Sequence, residues 1–179
     1  MKLLIFDGNS ILNRAYYGIR PLTTSSGFNT NAIYGFLNIL YKHMQDEGAC
    51  KICVAFDLKA KTYRHLLYPD YKAGRKPMPQ ELYEQMPVLK QILDAMGIPR
   101  VEKEGLEADD LIGILSNQCT QNNTPCVIVT GDRDSFQLID SNSSWKFVLY
   151  GTTSLDTYFI KSRSLSLISS NSLIPASST

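Results

Sequence analysis

The sequence has no apolar run approaching the roughly 20 residues that a transmembrane helix needs. Its N-terminus shows neither the apolar core nor the small-residue cleavage site of a secretory signal, so a cytoplasmic protein is expected. It also lacks an excess of either charge: 18 Lys and Arg face 17 Asp and Glu, for a formal net charge of +1. Net charge therefore points to no partner, and only the distribution of charge can do so. Cys50 and Cys53 have C-x-x-C spacing, but no second pair and no His cluster completes a four-ligand zinc site. Cys53 falls in an apolar strand pattern, so buried reduced thiols are expected at Cys50, Cys53, Cys119 and Cys126. What remains is the composition of one ordinary soluble domain, long enough at 179 residues for a single large core.

The most informative stretch is Val127 to Gln137. Val127 to Val129 form a short apolar β-branched run, the pattern of a strand buried on both faces of a parallel sheet. Thr130 and Gly131 end it, and Asp132 and Asp134 follow at its carboxyl end, the edge where open α/β sheets bind ligands. Two carboxylates this close repel, and one should resist ionising unless a cation is present. A hard divalent cation with oxygen ligands removes the conflict. The chain opens in the same way, with an apolar run to Phe6 followed by Asp7, Gly8 and Asn9. An Asp-Gly turn alone would explain this. A haloacid-dehalogenase phosphatase would need a second Asp where Asn9 stands, so that chemistry is excluded. A third strand, Lys51 to Phe56, ends in Asp57. If the three strands lie parallel, their acids converge on one edge, and the alternation of strands with helical segments favours such a sheet.

The first helix begins near Ile11 and carries Arg14, which either contacts phosphate or is simply solvated. Thr30 or Asn31 should cap a second helix running to about Gln45. Ile33, Phe36, Leu37, Leu40 and Tyr41 form its apolar stripe, whose aromatics read as core. Lys59 to Lys76 contrasts with the rest: Lys59, Lys61, Arg64, His65, Lys72, Arg75 and Lys76 alternate with Tyr63, Tyr68 and Tyr71. Such a segment suits a phosphate backbone with exposed bases, or else a solvated loop. Its start two residues after Asp57, beside the proposed acids, favours the first reading. Gln80 to Met96 should be a helix despite Pro87. Glu107, Asp109 and Asp110 then open a further helix, where acids suit the helix dipole. Glu107 and Asp110 share a face, whereas Asp109 points elsewhere but stays within reach of a neighbouring metal.

Together these motifs resemble the 5′-nuclease family. The residues are Phe6-Asp7-Gly8-Asn9, Ala55-Phe56-Asp57, Tyr71-Lys72 with Arg75 and Pro77-Met78-Pro79, Gly105 with Glu107 to Asp110, and Thr130 to Asp134. Any one is weak, but five in order over roughly residues 1–150 are specific. The resemblance implies a PIN-like α/β fold, a mostly parallel sheet flanked by helices, with a basic helical arch. It also implies cleavage of DNA flaps, nicks and 5′ ends with two Mg²⁺ or Mn²⁺ ions. By the family pattern Asp7, Asp57, Glu107, Asp109, Asp110, Asp132 and Asp134 are metal-site acids. Tyr71, Lys72, Arg75 and Lys76 belong to the arch, Lys72 and Arg75 act in catalysis, and Arg14 contacts substrate. An attached or associated polymerase domain is implied in the full-length protein.

The pattern departs from the family after about Tyr150. A further acidic motif with two aspartates and a helix–turn–helix segment that grips duplex DNA are expected there, and neither is present. A domain over residues 1–157 is therefore expected, followed by a Ser-rich tail over 158–179 that is disordered or weakly structured, and either truncated or read out of frame. Beside the nuclease stand two alternatives, a catalytically impaired DNA-binding remnant and an RNA-cleaving PIN-type nuclease, which generally lacks such an arch.

Overall fold

The computed structural model describes residues 1–48, 50–74 and 76–132, together with the backbone of three later strands over 143–150, 155–161 and 164–168. In chain order the elements are β1 (Lys2–Asp7), α1 (Gly8–Gly18), α2 (Asn31–Glu47), β2 (Cys50–Ala55), α3 (Tyr63–Leu67), α4 (Gln80–Ala95), β3 (Arg100–Val101), α5 (Ala108–Gln121), β4 (Cys126–Thr130), β5 (Ser143–Tyr150), β6 (Leu155–Lys161) and β7 (Ser164–Ile168). They build one sheet in the order β3-β2-β1-β4-β5-β6-β7. The pairings from β3 to β5 are all parallel, and β6 and β7 are added antiparallel.

Strand periodicity divides the core. Leu4, Phe6, Val54, Phe56, Val127 and Val129 face one side, where they pack with Ile11, Leu12, Phe36, Leu40, Leu82 and Leu89 of α1, α2 and α4. Ile5, Cys53, Ala55, Cys126 and Ile128 face the other and meet Ala108, Leu111, Ile112 and Cys119 of α5. Side chains alternate across a strand, so near-continuous apolar runs supply both cores at once. Cys53, Cys119 and Cys126 are buried and form no disulfide. Burial, with a smaller effect from Cys119, pushes the Cys53 thiol up to about 12 and makes it inert. The side chain of Cys50 lies outside the described residues.

Thr30 stands at the N-cap of α2, as expected, but its side chain makes no bond there. The bonds come from Gln85 of α4, wholly buried, whose Oε1 accepts from the backbone N–H of Ala32 at 2.9 Å and of Ile33 at 3.3 Å. One local expectation is corrected. Tyr41 does not join the apolar stripe but is 50 % exposed, because Ile39, Leu40 and His43 take the buried positions at that level. Strands β6 and β7 lie within 155–168, and residues 169–179 of the expected Ser-rich tail lie outside the described residues. Among the described residues no helix is long and apolar enough to cross a membrane.

Candidate active site

In the parallel register Asp7 ends β1 beside Ala55 of β2. Phe6 lies beside Val129 of β4. The residues after β2 and β4 therefore emerge on the same edge as Asp7. Here Asp7, Asp57, Glu107, Asp109 and Asp132 line one open cleft of about 490 Å³, with Arg14, Tyr71 and Lys72 on its walls. Gly8 is required at the first turn: a Cβ there would come within 2.4 Å of the Phe56 ring.

Asp7, Asp57 and Glu107 are each held by neighbours that the fold supplies. Asp7 is 3 % exposed and caps α1, accepting from Ser10 N–H at 3.0 Å and from the Thr130 hydroxyl at 2.8 Å. Burial outweighs those bonds and raises its carboxyl to about 7, with Asp109 and Asp57 adding to the rise. Asp57 accepts from Asn9 Nδ2 at 3.1 Å and from Ala108 N–H at 2.6 Å. Asn9 returns the contact by accepting from Asp57 N–H. Glu107 accepts from Lys72 Nζ at 2.7 Å and Tyr71 O–H at 3.2 Å. The Asp109 carboxyl is also raised, chiefly by desolvation and then by Asp132, Asp57 and Glu107.

Asp110 behaves differently. It does not line the cleft. Arg64 of α3 grips it with two bonds of 2.7 and 2.8 Å, and it also accepts from Glu107 N–H at 3.0 Å. Arg64 holds its carboxyl below the usual range. Asp109 lines the cleft, within the reach expected of it, whereas Asp110 lies off it and ties the base of the basic segment to α5. The reason is local, because a residue three places after the N-cap is drawn back to cap the helix. Arg14, expected on substrate, donates to the Gly131 carbonyl from Nε at 2.8 Å and also from Nη2. Lys76 is exposed and off the cleft wall. Asp134 and Arg75 lie outside the described residues.

Sequence reasoning missed the residues that orient the acids: Asn9, Ser10, Thr130 and Arg64. Asn9 and Thr130 stand inside the motifs named above without a role assigned to them, and Arg64 is a cation in the segment after Asp57, but nothing in the sequence pairs it with a helix start 46 positions away. The donor set is all oxygen and suits a hard cation. Among the described residues no three acidic, His or Cys groups already stand in a geometry that could hold one. Lys72 and Arg64 instead supply the positive charge. Asp109 and Asp57 raise the proton affinity of Asp7, and Asp132, Asp57 and Glu107 raise that of Asp109, which is the imbalance a bound cation would relieve.

Comparison with known proteins places the chain in a family. A DNA polymerase I from Caldicellulosiruptor bescii is 50 % identical over 148 residues, covering 83 % of this chain and 17 % of the relative. A 5′-3′ exonuclease from Aquifex aeolicus is 43 % identical over 140 residues, covering 78 % of this chain and 48 % of the relative. The chain thus spans less than half the length of either. Among solved structures, the bacteriophage T5 flap endonuclease in a pseudo-enzyme–product complex with DNA and metal ions aligns with a TM-score of 0.58 at 18 % identity, over 81 % of this chain and 54 % of that one. The family model of the 5′-3′ exonuclease N-terminal resolvase-like domain matches residues 2–163, and the chain belongs to that family.

Proposed function

We propose that this chain is a structure-specific 5′→3′ exonuclease and flap endonuclease, hydrolysing DNA phosphodiester bonds with Mg²⁺ or Mn²⁺. The observation that carries the reading is the meeting of Asp7, Asp57, Glu107, Asp109 and Asp132 with Lys72 and Tyr71 in one cleft. Asp7, Asp57, Asp109 and Asp132 would hold the ions, with Glu107 joining them once Lys72 is displaced. Asp134 is proposed for the same set on the family pattern. Bound there, the ions supply an activated water and relief of charge on the phosphate and leaving oxygen.

The protein's own residues do the rest. Thr130 and Ser10 fix the two oxygens of Asp7, and Asn9 and Ala108 N–H fix those of Asp57. Held acids lose little freedom when an ion binds, which is preorganisation. Lys72, freed from Glu107, brings its ammonium to the most negative part of the transition state, and Arg75 is proposed beside it. Tyr71, within hydrogen-bond reach of the same Glu107, orients the phosphate. Asp110 acts through Arg64 by holding the basic segment over the cleft.

The test is cleavage of an end-labelled 5′-flap DNA with and without Mg²⁺, with Asp7→Ala as control. Mg²⁺-dependent product that vanishes in the variant is expected. A folded protein that binds the flap but gives no product would leave the DNA-binding remnant as the reading.

A further inference from the structure

Beside the acid cleft, sharing Asn9, Asp57 and Met78 with it, lies a second hollow of about 460 Å³. Its walls have a different chemistry: Leu58, Pro77, Met78 and Met86 are apolar, Tyr83 is aromatic and Lys59 is cationic. Tyr83 remains 40 % exposed, Met78 39 % and Leu58 37 %. Lys59 Nζ stands 3.8 Å from the centroid of the Tyr83 ring, a cation–π contact that fixes the ring at the start of α4. None of these side chains serves the two sheet cores, apart from Met86 packing on the edge of one.

We propose that this hollow is a nucleobase subsite for the unpaired 5′ strand, with Tyr83 as stacking platform and Lys59 as contact for the adjoining phosphate. The proposal rests on the nuclease reading above. Its occupant must present a flat apolar face and a negative charge a few ångströms away, and must continue into a cleft built for a phosphodiester. An unstacked nucleotide joined to the scissile phosphate meets all three requirements. Aromatic stacking tolerates any base, so the subsite would hold the strand without reading its sequence.

The experiment is equilibrium binding of a fluorescein-labelled 5′-flap DNA to the full chain in EDTA. An abasic site is moved through the first few unpaired nucleotides in parallel. Tyr83→Ala should weaken the intact flap about tenfold and Tyr83→Phe by no more than about twofold. One abasic position should weaken wild-type binding to a similar extent and leave Tyr83→Ala unmoved. Lys59→Ala should weaken binding and flatten its salt dependence. Wild-type binding insensitive to every abasic position overturns the subsite without any variant being needed. So does a Tyr83→Ala loss that no abasic position reproduces. In either case Mg²⁺-dependent cleavage by wild type would keep the nuclease reading standing, whereas failure of wild type to bind the flap at all removes both.

Discussion

Arg14 on α1 and the backbone carbonyl of Gly131 are joined by a 2.8 Å hydrogen bond across 117 positions of sequence. The contact clamps the turn that carries Asp132 against the first helix. Gly131 makes it feasible, since a Cβ there would lie 2.1 Å from Arg14 Nε and 2.2 Å from Cδ. Gly131→Ala and Arg14→Ala therefore break the same contact. Each should cost about 1–3 kcal/mol of stability. The double variant should cost little more than either single one. Urea denaturation of the three proteins checks this, and additive losses would show that the two residues act separately.

The buried Asp7 predicts an unusual pH dependence in the metal-free protein. Its folded value of about 7 lies above the ordinary 3.8, so between these values the folded state binds more protons than the unfolded one. The contribution of this group to stability therefore falls as pH rises through that window, and its penalty is complete above about pH 7. The gap corresponds to about 4 kcal/mol as an upper bound. Asp7→Asn should stabilise the metal-free protein relative to wild type at pH 8 but hardly at pH 4. Denaturation at the two pH values in EDTA measures it. Equal effects at both would mean that Asp7 is not the group responsible.

The strands and the converging acids were legible because both follow from short-range pattern: apolar β-branched runs, each ending in Asp. Parallel pairing turned three such endings into one cleft without further information. The partners of those acids were not legible. Asn9 on Asp57 and Thr130 on Asp7 arise from strand register, which no local signal encodes. Asp110 lies off the cleft because capping and the Arg64 pair hold it at the first turn of α5, and helical spacing alone does not see either.

Gln85 offers a prediction about folding alone. Its Nε2 donates to Asn31 Oδ1 at 3.2 Å and to the Glu81 carbonyl at 3.0 Å, while its Oε1 caps α2. All four contacts are buried or partly buried. Gln85→Leu keeps the volume but leaves two N–H groups at the helix start unsatisfied. A loss of about 2–4 kcal/mol is expected, seen as a lower midpoint in urea with unchanged slope. A loss under about 0.5 kcal/mol would mean that water replaces the side chain at the cap.

Lys72 combines two features that a pair of substitutions can separate. Its Nζ holds Glu107 at 2.7 Å, and its backbone sits at φ 63°, a region that favours glycine. Lys72→Ala removes the charge and keeps the strain, whereas Lys72→Gly removes both. The glycine variant should be the more stable of the two by about 1 kcal/mol. Both should cleave 5′-flap DNA at least about tenfold more slowly with little change in DNA affinity, if the ammonium acts chiefly in the transition state. Both should also bind Mn²⁺ more tightly than wild type, because Glu107 loses the cation that competes for it. Single-turnover cleavage, DNA titration and Mn²⁺ titration by electron paramagnetic resonance read the three effects independently. Slower cleavage with unchanged Mn²⁺ affinity would leave Lys72 a transition-state group and take Glu107 out of the ion site. Weaker DNA binding with an unchanged rate would make Lys72 a substrate grip.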